Sequence, residues 1–309
     1  MQSAVLFLVF NRPDTTRQVF EAIRAAKPPR LYVAADGPRQ NREGEFMRCE
    51  EVRKIATTVD WPCEVKTLFR SENLGCKLGV SGGIDWFFEH EEEGIILEDD
   101  VLPHPDFFMF CETLLHRYAE NDRVWMITGN NFQDGQKRGA GAYYFSRYTH
   151  IWGWATWRRA WKHYDRDLSY WKEWNKSDAW FQLLPDKVER NYWEKIFKRM
   201  FNHEIDTWDY QWTACVWFND GLTATPNVNL VSNIGFGDGA THTTSAYSRH
   251  AAISVKPLGE LTHPASIEQD KIADRYVLDH VFGGKLQRFP GLLLQLPKRA
   301  AGFLYRRLK

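Results

Sequence analysis

A membrane-spanning segment is the first thing this sequence lacks: no window approaches the ~18 to 20 apolar residues that crossing a bilayer requires. The apolar run near the amino terminus, Ala4 to Phe10, has no basic stretch before it and no small-residue cleavage site after it, so it reads as a first core strand. A secreted or integral membrane protein is not expected. Net charge is missing too, because 40 Lys and Arg balance 40 Asp and Glu. With no global positive field, nucleic acid is excluded as the main partner. Cysteine is scarce and unpatterned: Cys49, Cys63, Cys76, Cys111 and Cys215 form no CxxC pair and no even set. That suits a reducing, cytoplasmic compartment and argues against structural zinc. Internal repeats and an interdomain linker are absent as well.

Aromatic residues, in contrast, are abundant. With 14 Trp, 12 Tyr and 20 Phe in 309 residues, the rings exceed what a core of this size usually needs, so some are expected to face a ligand. The balance of 43% hydrophobic and 26% charged residues is that of an ordinary globular chain, one large α/β domain or two modest ones. Through the first third, apolar runs alternate with helical patterns. "AVLFLVF", "RLYVAADG", "CEVKTLFR" and "GIIL" read as strands, separated by helices over "DTTRQVFEAIRAA", "GEFMRCEEVRKIATTV" and the glycine-interrupted "CKLGVSGGIDWFFEHE". This rhythm predicts right-handed crossovers and a mostly parallel sheet flanked by helices, with ligands beyond the carboxyl ends of the strands. Asn11, Arg12, Asp36 and the Glu98, Asp99, Asp100 cluster all fall at such ends.

Further along, 105 to 119 reads as a helix and "VWMITGNNF" as a strand. A short helix is expected from about Ala155, placing Trp154, Trp157 and Trp161 on one helical face. More helices are expected at 178 to 184, 187 to 202 and Trp208 to Phe218, and the glycine- and threonine-rich stretch from Gly221 to Tyr247 reads as a loop.

The stretch "GIILEDDVLPHPDFF" carries the chemistry. A run of acidic residues is usually a solvated turn. Here it ends a strand buried on both faces, and three adjacent like charges repel unless something positive sits between them. A divalent cation is the simplest such partner, hard carboxylate oxygens suit Mn2+ or Mg2+, and such an ion in turn neutralises a diphosphate.

Strand, "LEDD", then "PDFF" resembles the DXD-type motif of GT-A fold nucleotide-sugar glycosyltransferases, and is similar in particular to the β-1,2-N-acetylglucosaminyltransferase I family. "FNRPDTTRQVFEAI" and "VAADG" resemble that family's first two strand ends, "VWMITGNNF" with "HIWGWATWRRAW" its strand and Gly-Trp loop, "TWDYQW" its Trp-Asp motif, and "NLVSNIGFGDGATHT" its closing segment. The resemblance runs from about residue 4 to 245 and is poor over 160 to 205. It implies a GT-A, Rossmann-like sheet with a C-terminal helical and loop acceptor region. It also implies inverting, metal-dependent transfer from a UDP-sugar such as UDP-GlcNAc. Arg12 and Asp36 would contact the nucleotide, Glu98 and Asp99 the ribose and sugar hydroxyls. Asp100 and His242 would ligate the metal, and Asp209 would be the general base.

Displacing a diphosphate from an anomeric carbon independently needs charge stabilisation on the leaving group and a base beside the acceptor hydroxyl. Glu204, Asp206 and Asp209 compete for that role. Asp209 is preferred because Trp208 and Trp212 flank it, and an aromatic wall packs on sugar faces while desolvating a carboxyl; a plain helix-capping Asp beside core tryptophans is the simpler alternative. Trp152 and Gly153 are the candidates for sugar contact. Asp238 is a turn residue in the glycine-rich loop that precedes His242. The "RR" of Arg158 and Arg159 is either a solvated face or an acceptor phosphate site.

The expected organisation is a donor-binding half over 1–130, an acceptor-binding and catalytic half over 131–288, and a basic, leucine-rich tail over 289–309. The tail is either an interfacial amphipathic helix on anionic lipid or a capping helix with a solvated basic face. With a tail at the inner face of the membrane, the acceptor would be a lipid-linked glycan in bacterial polysaccharide or lipopolysaccharide synthesis. Nucleotidyl transfer making nucleotide sugars is the alternative on a similar sheet. It calls for a glycine-rich basic loop after the first strand, where "FNRPDTTRQ" has no glycine. A non-catalytic carbohydrate-binding protein is the third reading.

Overall fold

A computed structural model describes residues 1–235 and 253–288. Asp238, His242 and the 289–309 tail lie outside the described residues.

β1 (Ala4–Val9), α1 (Pro13–Ala26), β2 (Arg30–Ala35), α2 (Glu45–Thr57), β3 (Glu64–Phe69), α3 (Gly75–His90) and β4 (Glu93–Glu98) alternate as the apolar pattern predicts. β5 (Val101–Pro103), α4 (Pro105–Arg117), β6 (Val124–Thr128), β7 (Tyr143–Ser146) and β8 (Trp154–Trp157) follow. A helical stretch then holds α5 (Arg158–Trp161), α6 (Trp171–Trp174), α7 (Asp178–Leu183), α8 (Lys187–Phe201) and α9 (Asp209–Phe218). The last elements are β9 (Leu222–Pro226), β10 (Val231–Asn233), α10 (Lys271–His280) and a 3-10 turn at Gly284–Gln287.

Eight strands form one sheet in the order β3-β2-β1-β4-β8-β6-β9-β7. β3, β2, β1 and β4 are parallel neighbours, as are β6 and β9, while β8 runs antiparallel between β4 and β6 and β7 antiparallel to β9. The protein is therefore a mixed α/β fold, Rossmann-like, with a mostly parallel sheet flanked by helices. Its sheet takes strands from both sides of residue 130, so the two expected halves share one core.

β1 shows why the strands sit centrally. Val5, Phe7 and Val9 enter one apolar cluster with α1, α2 and α4, while Ala4, Leu6 and Leu8 enter the other with α3 and the later helices. A strand buried on both faces must be apolar throughout, and this one is. The glycines of α3 do not interrupt it. Gly83 lies where a Cβ would meet Leu8 Cδ2 at 2.9 Å and Ala34 Cβ at 3.1 Å, so the helix needs glycine there to approach the sheet.

Two expectations are corrected. Trp154 to Trp157 is a strand, so Trp154 and Trp157 point to opposite sides of the sheet instead of sharing a helical face with Trp161. The stretch from Gly221 holds β9 and β10 before it leaves the described residues, and β9 is buried throughout. Among the described residues, no helix is long and apolar enough to cross a membrane.

Candidate active site

Chain order reverses between β1 and β4. From β1 the chain moves outward to β2 and β3, then returns to β4 on the other side. Such a switch point opens a crevice at the carboxyl ends of the strands. Arg12 and the acidic cluster occupy this crevice. Leu8 and Glu98 are in register, and both strands end within a residue of this level.

Asp99 fastens the two strand ends together, its Oδ2 accepting from the Phe10 backbone N–H at 2.9 Å. Asp100 Oδ2 accepts from Arg12 Nη1 at 2.5 Å, with both side chains largely buried. On the far side, β10 closes the turn, the Ile234 N–H donating to the Asp100 carbonyl at 2.8 Å. "EDD" is thus not a solvated turn.

Asp209 opens α9 and reaches this cluster from 110 residues away in sequence. Glu98 is pushed well above the usual carboxylate range by burial, then by the charges of Asp100, Asp99 and Asp209, with Arg12 opposing. Burial and Asp100 likewise raise Asp99, and burial raises Asp100 against the pull of Arg12. The Thr207 hydroxyl donates to Asp209 Oδ1 and holds that carboxylate in place. Four carboxyl groups share one guanidinium, an excess of acids over cations whose joint ionisation is costly.

That excess and its hard oxygen donors suit a divalent cation, with Asp100 best placed to hold it. The fit is incomplete, since Arg12 already takes one Asp100 oxygen and, among the described residues, no group of three or more His, Cys, Asp or Glu is arranged to hold a metal. The expected second ligand, His242, lies outside the described residues.

Asp36 is engaged at the start of α3. Its carboxylate accepts from the N–H groups of Leu74 and Gly75 at 3.0 and 3.1 Å, of Gly37 at 3.0 Å, and from Asn73 Nδ2 at 3.0 Å. It caps α3, whose own N-cap position, Leu74, offers no side-chain acceptor. Burial outweighs these donors and raises the Asp36 carboxyl above its usual value.

Asp206 completes the cap. It accepts from the N–H groups of Cys76 and Lys77 at 3.1 and 3.0 Å, which takes it out of the competition for general base. Glu204 drops out too, exposed and paired with Arg199.

The aromatic expectations change most. Trp208 is 2% exposed and stacks on Trp154 at 5.6 Å between ring centroids, so it is a floor beneath Asp209 and not a wall facing donor. Trp212 is fully buried beside it. Gly153 is also corrected as a sugar contact. It is buried in a left-handed conformation with φ of 61°, where a Cβ would lie 2.7 Å from Val231. Trp152 stays half-buried, its backbone N–H donating to Asn130 Oδ1 at 3.1 Å and its ring edge-on to Phe132. Arg158 and Arg159 face Glu92 and the backbone carbonyls of Tyr118, Ala119 and Val124, so no phosphate site forms there.

Three residues were not singled out from the sequence. Thr207 positions Asp209. Cys76 is pushed up by burial, then by Glu98, Asp209 and Asp206, which places it against the same acids. Asn130 is buried at the end of β6 with its Nδ2 lacking a hydrogen-bond partner, a donor left over beside Trp152. The "GNN" after a buried strand was the available signal.

No protein-family profile matches the chain, and no curated protein matches it. Solved structures do. A 4-diphosphocytidyl-2C-methyl-D-erythritol synthase from Anaerococcus prevotii is 8% identical over 73% of this chain and 89% of its own, with a TM-score of 0.37. A UDP-glucose pyrophosphorylase complexed with UDP-glucose is 10% identical over 52% and 78%, with a TM-score of 0.32. A cytidylyltransferase from Leptospira borgpetersenii is 12% identical over 52% and 63%, also with a TM-score of 0.32. Similarity this low carries no argument about activity.

Proposed function

We propose that the protein is a glycosyltransferase of the GT-A kind, resembling the β-1,2-N-acetylglucosaminyltransferase I family, that uses a nucleotide-diphosphate sugar with UDP-GlcNAc as the first donor to try. The carrying observation is the convergence of Arg12 with Asp99 and Asp100 at the β1/β4 switch point, with the Asp209 charge within electrostatic reach of Glu98. Arg12 would meet the nucleotide diphosphate, Glu98 would hold hydroxyls of the ribose or sugar, and Asp99 would keep the two strand ends in register. Trp152 and Asn130 would pack on and donate to the donor sugar. A divalent cation, Mn2+ or Mg2+, held through Asp100 would supply Lewis-acid stabilisation of the leaving diphosphate.

The reaction follows from one carboxylate standing apart from the leaving group. Asp209 takes the acceptor hydroxyl proton, the acceptor oxygen bonds to the anomeric carbon, and the bond to the diphosphate breaks with its electron pair leaving on phosphate. A single displacement inverts that carbon. A lipid-linked glycan at the inner face of the bacterial membrane is the acceptor class this reading carries, with the 289–309 tail as membrane contact.

Nucleotidyl transfer is the second reading, since it too uses an acid cluster at the carboxyl ends of a mostly parallel sheet. Against it, only Phe10, Asn11 and Arg12 separate β1 from α1, too short a connection to wrap a triphosphate.

The experiment is a thermal-shift panel of UDP, GDP, CDP and dTDP, each with Mn2+ and with excess chelator, on wild type, Asp100→Ala and Asp209→Asn. Ligand at about 100 times its dissociation constant adds roughly 2.7 kcal/mol. Stabilisation by one nucleotide that needs Mn2+ and Asp100 and survives Asp209→Asn is expected, with release of that nucleotide from its sugar conjugate lost in Asp209→Asn. Pyrophosphate release from a nucleoside triphosphate and a sugar 1-phosphate would establish the second reading instead, and no stabilisation by any nucleotide would sink both.

A further inference from the structure

Large apolar side chains are left exposed around the crevice mouth. Phe46 and Met47, in the first turn of α2, are 60% and 68% exposed, and Phe69 at the end of β3 and Leu74 and Leu78 at the start of α3 are exposed as well. A helix that follows a parallel strand starts at the carboxyl ends of the sheet, so α2 and α3 both begin on the rim that holds Arg12 and the acidic cluster. Apolar residues scattered singly over a surface are ordinary; neighbours gathered at the opening of a site are not.

Hydrogen bonds tie this rim to the crevice. Glu45, fully buried at the start of α2, accepts from Asn11 Nδ2 at 2.8 Å, and Asn11 precedes Arg12. The same carboxylate accepts from the Arg39 backbone N–H at 2.7 Å and pairs with the Arg39 guanidinium. Farther along α2, Arg53 Nη2 donates to the Arg70 carbonyl at 2.6 Å, and its guanidinium lies over the Phe69 ring. Arg53 therefore marks the level of the strand ends. Phe46 and Met47 precede it by seven and six residues, which at 1.5 Å per residue puts them about 9–10 Å farther out. Arg42 and Arg48 flank the pair, exposed and without an ion pair among the described residues, and Glu43 is the one exposed acid between them.

We infer that this rim docks on an anionic lipid bilayer, with Phe46 and Met47 entering the interface and Arg42 and Arg48 meeting lipid phosphates. Protruding apolar side chains with arginines beside them have the composition of an interfacial contact. Two side chains on one helical turn offer little to a protein partner, whose stable interface takes about 800 Å² from each side. The contact is separate from the 289–309 tail. It deepens the transferase reading and rests on it for one consequence: a crevice mouth held against the bilayer would meet a lipid-linked acceptor.

The test is co-sedimentation of full-length protein with vesicles of phosphatidylglycerol and phosphatidylcholine, and with vesicles of phosphatidylcholine alone. Lys298, Arg299, Arg306, Arg307 and Lys309 are replaced by Gln throughout, so that the basic tail does not carry the binding. Variants on this background are Phe46→Ser with Met47→Ser, Arg42→Gln with Arg48→Gln, and Ile272→Ser, which removes an exposed side chain from α10 beside β7, at the far edge of the sheet. Binding to the anionic vesicles should fall about tenfold or more in the apolar pair, since burying one such side chain is worth about that factor. It should fall about fivefold or more in the arginine pair and stay unchanged in Ile272→Ser. No binding by the tail-neutral protein, equal binding to both kinds of vesicle, or binding indifferent to Phe46→Ser with Met47→Ser overturns the inference. So does a dimer that dissociates in that pair while vesicle binding does not change, because a second copy then covers the patch. Stabilisation by UDP and Mn2+, read on the same samples, shows that the variants are folded; its absence from all of them sinks the transferase reading and leaves the bilayer contact standing.

Discussion

Replacing Asp36 separates two roles that the sequence alone runs together. As a nucleotide contact it would leave stability untouched when removed; as the cap of α3 it would not. In Asp36→Ala, the N–H groups of Gly37, Leu74 and Gly75 and the Asn73 amide lose their shared acceptor. Leu74 is exposed enough for water to substitute, which leaves the N–H groups of Gly37 and Gly75 and the Asn73 amide at ~1 kcal/mol each, the lost cap being counted among them, roughly 2–4 kcal/mol together. Because an unfolding entropy of about 2.1 cal/mol/K per residue makes a 309-residue chain shift by about 1.5 °C per kcal/mol, melting should fall by roughly 3–6 °C. Asp36→Asn keeps one acceptor oxygen and no charge, and since burial already raises the Asp36 carboxyl, it should lose less than Ala does. Differential scanning calorimetry without and with UDP and Mn2+ reads both roles at once. An alanine variant melting within about 1 °C of wild type while losing nucleotide stabilisation would refute the capping argument.

Burial raises the Asp274 carboxyl from 3.8 to about 6, against Arg147, Ser146 and Gln269. A raised folded-state pKa means stability that is fully present below about 4 and lost as pH rises through about 6, ~3 kcal/mol at the outside. Wild type should therefore lose stability relative to Asp274→Asn across that window, and denaturant titrations at pH 4, 5, 6 and 7 with a constant difference would contradict this. Trp208→Ala should cost ~3–5 kcal/mol as a core truncation, whereas Trp152→Ala should cost far less and weaken binding of the nucleotide sugar more than of the nucleotide. Equal destabilisation by the two would return Trp208 to the ligand side.

The parallel half of the sheet was legible because β1, β2 and β4 are apolar runs buried on both faces and α1 and α4 are amphipathic, and the alternation they set carries β3, α2 and α3 with it. The other half was less so. In "WGWATWRRAW", tryptophans three and four apart imitate a helical stripe, yet sheet pairing on both sides of β8 decides the matter. β9 reads as a loop because "LTATP" is polar, although its threonines are buried between β6 and β7. α10 was overlooked despite an N-cap signal, Asp270 accepting from Ile272 and Ala273. Arg12, Glu98, Asp99, Asp100 and Asp209 were visible as charges at element ends and the structure brings them together. Asp36 and Asp206 were visible as acids, but their use was not, because the helix they cap begins 39 residues after one and 131 residues before the other.

That double cap bears on where a nucleotide can sit. The start of a helix after a parallel strand is an anion site, its free N–H groups and dipole both favouring phosphate. In α3 this site is closed by the protein itself, with Asp36 taking the N–H groups of Leu74 and Gly75 and Asp206 those of Cys76 and Lys77. A phosphate there would have to displace two carboxylates while being repelled by them. The start of α1 differs. It follows β1 at the switch point, has no side-chain cap, and opens with Arg12 beside Asp100. The guanidinium of Arg12 thus stands at the start of α1 beside the acids, and on the proposed reading the diphosphate of a nucleotide sugar would lie between Arg12 and the β4 cluster. Asp206 ties the loop before α9 to the start of α3 and so fixes the chain three residues before Asp209, which on the proposed reading would position the base relative to the bound sugar.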